Sequence, residues 1–248
     1  MRKHRVTHAE YRRTTDIVID SVKSGEGSLL FDVLFEAEAT DIGNTGRKGS
    51  LEAVEGPFYF PGAPVLEKPY ALPRRADEPG DPLLFKGKVM SSEGDALAGA
   101  ELDMWQADAA GLYSNVHPGI PDWNLRGRFR SDADGTFEVR TIVPPPYEIP
   151  KHGPTGIVLN ALGRHFFRPA HLHLKVRHPR CSELTSQIYF DGGKYLNSDV
   201  ANAVREGLTV KLIKRDASAA SALTGPCFEA SYDFILAPLR QPNEIVGG

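Results

Sequence analysis

Two hydrophobic periods divide the chain. Thr7 and Glu10 stand at capping-box spacing, and Tyr11, Thr15, Val18 and Val22 then recur every three or four residues, which predicts an amphipathic helix. After a break at Gly25 and Gly27, Ser28 is placed to cap a second helix whose stripe is Leu30, Val33, Leu34 and Ala37, widened by Phe31 and Phe35. Two short helices carry more apolar surface than they bury alone, so they are expected to lie on the rest of the domain or on a second copy of the chain. Residues 43–62 read as loop, with an aromatic, turn-punctuated segment from Glu55 to Gly62 that either walls a pocket or covers the core. Beyond Leu83 the period becomes two. The runs 84–90, 100–106, 127–131, 136–143, 170–176, 185–190 and 232–236 read as short strands separated by glycine-containing turns, with a helical or irregular insertion over 197–207. The pattern predicts a mainly β protein: an antiparallel β-sandwich core over 46–248, preceded by a small N-terminal helical element over 1–45 that is expected to serve as dimerisation and linker region.

Composition narrows the chemistry. The 248 residues include 24 Gly and 19 Pro, an excess suited to many turns, and 41% apolar with 25% charged residues describes an ordinary globular chain. A net charge of −3 spread along the sequence gives no general attraction for nucleic acid or an anionic membrane. No apolar run reaches signal-peptide or membrane-helix length, so a cytoplasmic protein is expected. Cys181 and Cys227 are the only cysteines, which excludes a disulfide framework and a thiolate-only metal site within one chain.

The most informative string is Arg168-Pro169-Ala170-His171-Leu172-His173-Leu174-Lys175-Val176. On a strand, residues two apart share a face, so His171 and His173 form a chelating pair while Leu172, Leu174 and Val176 seat the strand, and Arg168 is expected on that same strand. A further carboxylate for a ferrous two-histidine site is not found nearby, because Glu183 is too distant, although one could come from elsewhere in the fold. Tyr113 follows a strand that ends in the Gly111 turn, and Tyr147 follows three prolines that restrict its position. Phenolate formation requires a strongly acidic metal, and ferric iron meets that need better than zinc or ferrous iron. Two phenolates and a hydroxide balance Fe(III), and neutral His171 and His173 complete five-coordination without net charge.

The strings Gly56-Pro57-Phe58-Tyr59, Asp103-Met104-Trp105-Gln106, Gly111-Leu112-Tyr113-Ser114, Leu125-Arg126-Gly127-Arg128, Pro146-Tyr147-Glu148-Ile149-Pro150, Gly163-Arg164-His165, Arg168 to His173 and Thr185-Ser186-Gln187-Ile188 are similar to those of the intradiol ring-cleaving dioxygenases, and within them the catechol and chlorocatechol 1,2-dioxygenases. The resemblance runs from about residue 30 to 238. It implies one non-haem Fe(III) per subunit with Tyr113, Tyr147, His171 and His173 as ligands, Tyr147 and His171 axial, and Tyr147 doubling as a base. Arg168 and Gln187 then face the bound ring, and Asp41, Ile42, Val54, Pro57, Phe58, Val200 and Ala201 form the substrate pocket. Trp105-Gln106 stands where the family often has Trp-His, a change not expected to touch the iron. The implied reaction is O2-dependent cleavage of chlorocatechols or catechols to cis,cis-muconates, with methylcatechol and hydroxyquinol as alternative substrates and a homodimer joined through the N-terminal helices around a bound lipid. A non-catalytic β-sandwich binding module is the alternative from a different class.

Overall fold

The computed structural model describes residues 1–216 and 227–239, so the end of the second predicted region lies outside the described residues. Helix α1 (His8–Lys23) starts as its pattern predicts: the Glu10 N–H donates to the Thr7 hydroxyl, and the Thr7 N–H donates to the Glu10 carboxylate. Its apolar stripe is uncovered in the single chain, with Tyr11, Val18, Ile19 and Val22 exposed. The second helix departs from expectation. Residues 27–44 run as α2 (Gly27–Phe31), a π-helical turn over Asp32–Glu36 and α3 (Ala37–Asn44). Glu26 takes the N-cap position, because Ser28 donates its hydroxyl to Asp32 instead. Leu29, Leu30, Val33 and Ala37 are buried, whereas Phe31 and Phe35 pair with each other and stay exposed, so they do not widen the buried stripe. No helix among the described residues is long and apolar enough to cross a membrane.

Strands β1 (Pro82–Ser91), β4 (Thr136–Ile142), β10 (Ile213–Arg215), β11 (Cys227–Ser231) and β12 (Phe234–Leu236) form one five-stranded sheet. A second sheet has the order β3-β2-β7-β8-β9, made of β3 (Arg126–Arg130), β2 (Glu101–Trp105), β7 (His171–Arg177), β8 (Leu184–Phe190) and β9 (Thr209–Val210). β5 (Tyr147–Glu148) and β6 (Phe167–Arg168) make a separate two-stranded ribbon. The expected all-antiparallel pairing is corrected: β11 and β12 run parallel to β1, and β9 runs parallel to β8. Parallel neighbours need a long connection, and the chain between 191 and 208 supplies one for β8 and β9 as an irregular segment without helix.

Phe85, Phe137 and Phe234 of the first sheet meet Leu102, Phe129, Leu172 and Leu174 of the second in one core, with the Phe129 and Phe137 rings 6.0 Å apart across it. Directly paired residues on adjacent strands share a face. The pairs Trp105–Arg126, Trp105–His173, His173–Gln187 and His171–Tyr189 therefore line up on the outward face of the second sheet. That face is not solvated. The α2 to α3 segment, the 54–59 loop and helix α4 (Pro154–Ala161) cover it, with Leu29, Val33, Phe58, Ile149, Leu159 and Val200 forming a second apolar cluster against Trp105, Tyr113 and Tyr147. Helix α4, unforeseen from the pattern, begins with Pro154 after Gly153, and its Thr155 N–H donates to the Glu26 carboxylate at 3.0 Å.

Candidate metal centre

The covered outward face brings together side chains from three separate parts of the chain. His171 and His173 stand two apart on β7, and their Nε2 atoms approach to 2.9 Å. Nδ1 of His171 lies 2.7 Å from the Pro169 carbonyl, which can only accept, so this nitrogen carries the proton and Nε2 keeps a free lone pair. Burial, reinforced by the nearby Arg168 cation, pushes the His171 pKa down to about 3. Burial and the neighbouring His171 hold His173 well below the usual imidazole range. Both rings are neutral donors. His173 also stacks on Trp105 with centroids 4.6 Å apart and planes 12° from parallel, which fixes its orientation.

The tyrosines close the group from the other side. Tyr113 sits beyond β2 and Tyr147 opens β5, with ring centroids 5.4 Å apart, Tyr147 5.7 Å from His171 and Tyr113 6.0 Å from His173. Gly111 permits this approach: its φ is +83°, and a Cβ there would stand 2.7 Å from the Tyr147 Cβ. Tyr113 is wholly buried, and among the described residues its hydroxyl makes no hydrogen bond. Burial and the adjacent Tyr147 raise its pKa far above the ordinary phenol value. Burial also raises Tyr147, while the Arg168 cation works in the opposite direction. A buried phenol with no hydrogen bond among the described residues, beside two neutral imidazoles whose lone pairs converge, is a set of oxygen and nitrogen donors that a hard, highly charged cation fits. Among the described residues, no group of three or more His, Cys, Asp or Glu is placed to hold a metal, so no carboxylate joins the histidine pair.

Arg168 lies elsewhere than on the histidine strand. Pro169 and Ala170 interrupt the chain, and Arg168 belongs to β6, directly paired with Tyr147 on β5. Its buried guanidinium donates to both carboxylate oxygens of Asp199 at 3.1 and 3.0 Å, to Gln187 Oε1 at 2.8 Å and to the Tyr189 hydroxyl at 3.1 Å. Nη1 is 3.5 Å from His171 Nε2. Burial works against this charge, but Asp199 and the tyrosine hydroxyls outweigh it and raise the pKa, while Arg168 holds Asp199 below the usual carboxylate range. Asp199, in the irregular 191–208 segment, carried no period or motif that could single it out. Gln187 is anchored in turn by Nε2 donating to the Val54 carbonyl at 2.6 Å. Arg126 is a second buried cation, donating to the Phe58 carbonyl and to Ser114 while lying 5.9 Å from the Tyr113 ring. Gln106 turns away from the centre and binds Thr141 and the Ile142 carbonyl.

A narrow cleft opens on this group. Its walls include Val54, Pro57, Phe58 and Ala201, together with Tyr147, Arg168 and His173. Val200 is buried in the apolar cluster behind it. Asp41 and Ile42 lie outside the cleft: Asp41 forms a surface ion pair with Arg205, and Ile42 is 74% exposed on α3. Leu29, Asp32, Val33 and Glu36 stand there instead, nearer the N-terminus on α2 and the π-helical turn, joined by Ile149. Burial pushes the carboxyls of Asp32 and Glu36 up.

Known proteins share the sequence and the fold of this chain. The family model described as Dioxygenase matches residues 54–238. A chlorocatechol 1,2-dioxygenase of Rhodococcus opacus is 40% identical over 217 residues, covering 86% of this chain and 84% of that protein. One from Pseudomonas putida is 40% identical over 204 residues, covering 82% of this chain and 78% of that protein. Among solved structures, 3-chlorocatechol 1,2-dioxygenase from Rhodococcus opacus 1CP superposes with a TM-score of 0.89 at 45% identity, covering 96% of this chain and 92% of that one. The chain belongs to the intradiol ring-cleaving dioxygenases, the family of the catechol and chlorocatechol 1,2-dioxygenases.

Proposed function

We propose that the enzyme holds one non-haem ferric ion per chain through Tyr113, Tyr147, His171 and His173 and cleaves catechols and chlorocatechols between their two hydroxylated carbons with O2, yielding cis,cis-muconates. The observation that carries this reading is the buried convergence of two neutral imidazoles and two phenols, one of whose hydroxyls makes no hydrogen bond among the described residues. When bound, ferric iron supplies the Lewis acidity that ionises phenols and opens an electron-rich ring to O2.

The chain's own groups divide the remaining work. Tyr147 Oη is the base that takes a proton from an incoming catechol hydroxyl, and the Arg168 cation across the β5–β6 ribbon lowers the cost of moving charge onto and off that oxygen. Arg168 also presents a fixed positive charge where negative charge grows on the ring, and Asp199 and Gln187 keep it from reorienting. Phe58, Ile149 and Val33 exclude water from the cleft, which strengthens each of these interactions. The apolar walls suit an unsubstituted or chlorinated ring, and the names of the relatives point the same way. A β-sandwich of two mixed sheets provides the rigid support.

The region 1–45 is proposed to join two copies in a homodimer, because Tyr11, Ile19 and Val22 on α1, Phe35 beyond it and Leu162 after α4 leave an uncovered apolar surface that a second copy, with or without a lipid, would bury.

Three outcomes test these assignments. Steady-state turnover of catechol, 3-chlorocatechol, 4-chlorocatechol and hydroxyquinol should give ultraviolet-absorbing muconates with the chlorocatechols favoured; a yellow semialdehyde product would contradict intradiol cleavage. Tyr147→Phe should retain iron by elemental analysis but lose about 100-fold or more in kcat, the scale of a lost general base; unchanged turnover removes Tyr147 from proton transfer. Sedimentation should give a dimer for the wild type and a monomer for the double variant Val22→Glu, Phe35→Glu; a monomeric wild type would overturn the interface.

A further inference from the structure

The rim of the cleft is acidic, which the ferric site does not require. Leu29, Asp32, Val33 and Glu36 share one helical face, and all four reach the cleft that also shows Tyr147, Arg168 and His173. Glu36 is fixed in place: its carboxylate accepts from the Glu55 N–H at 2.6 Å and from the Gly56 N–H at 3.3 Å. Gly56, at φ +70°, leads directly into Pro57 and Phe58, which form the facing wall. Asp32 is oriented by Ser28, whose hydroxyl donates to it at 2.8 Å.

The neighbouring acids are neutralised, and these two are not. Glu55 pairs with Lys175, and Asp199 pairs with Arg168, but among the described residues neither Asp32 nor Glu36 forms an ion pair. Among the described residues lining the cleft, the one cation is Arg168, which is paired with Asp199. A ring substituent on the helical side of the cleft therefore meets two half-buried carboxylates, while the Arg168 charge at the ring itself is balanced by Asp199. In a partly dehydrated opening, like-charge repulsion is stronger than in bulk water.

We propose that Glu36, with Asp32 beside it, is a specificity-determining residue that rejects catechols carrying an anionic ring substituent, and that its grip on Glu55 and Gly56 positions the Pro57–Phe58 wall. The inference rests on the cleft being the catechol site. Glu36→Gln removes the charge and keeps an acceptor for the two N–H groups, whereas Glu36→Ala removes both.

The test is anaerobic equilibrium binding of 4-methylcatechol and 3,4-dihydroxybenzoate, which differ in the charge of one substituent, to iron-loaded enzyme, read by tryptophan fluorescence from Trp105 beside His173. The wild type should bind the neutral ligand roughly tenfold or more tightly than the anion. Glu36→Gln should shrink that ratio about tenfold, equivalent to about 1.4 kcal/mol, with the Kd of 4-methylcatechol held within about threefold. Glu36→Ala should weaken both ligands, because the wall is released. A ratio unchanged in Glu36→Gln would overturn the charge filter while leaving the catechol site standing. A wild type that binds neither ligand would overturn the catechol site, and the filter with it.

Discussion

The structure depends on one constraint: a sheet face that carries polar side chains is sealed from water. Burying imidazoles, phenols and guanidinium groups without partners costs several kcal/mol for each group left unsatisfied. The outward face of the second sheet carries all three kinds. Arg168 meets this cost through Asp199, Gln187 and Tyr189, and His171 meets part of it through the Pro169 carbonyl. The Tyr113 hydroxyl has no such relief among the described residues, and the proposed cation would supply it.

That constraint explains the architecture around it. A two-sheet core alone would leave the histidine face wet, and the helical N-terminal segment, the Glu55 to Tyr59 loop and α4 supply the second apolar layer. The segment does more than cover. It supplies part of the cleft wall through Leu29 and Val33 and its acidic rim through Asp32 and Glu36, so the N-terminal region lines the cleft as well as sealing the sheet face. The β5–β6 ribbon has a comparable double use: it brings Tyr147 from one part of the chain and Arg168 from another into direct register beside the histidines.

Much of this was legible in the sequence, for identifiable reasons. The capping box at Thr7 and the alternation in Leu172, Leu174 and Val176 are local signals, and local signals fix α1 and the two faces of β7. The His-x-His pair follows from the same alternation. Strand direction does not, because it depends on how distant segments meet, and so the parallel partners of β1 and β8 were invisible. Arg168 read as part of the histidine strand, since nothing local reveals that Pro169 ends one strand and that the pairing partner is Tyr147. Asp199 lies in an irregular segment without periodicity, and its importance comes only from a contact 31 residues away in sequence. The displacement of the cleft wall from Asp41 and Ile42 to Asp32 and Val33 has a similar origin, because which turn of a helix faces a site is set by packing.

The most direct test of the central claim is the iron content of the purified protein together with its visible absorption spectrum. Ferric iron held by phenolate oxygens of Tyr113 and Tyr147 predicts about one iron per chain and a broad charge-transfer band that colours the protein red to burgundy. A colourless protein without stoichiometric iron, despite correct folding, would contradict the account.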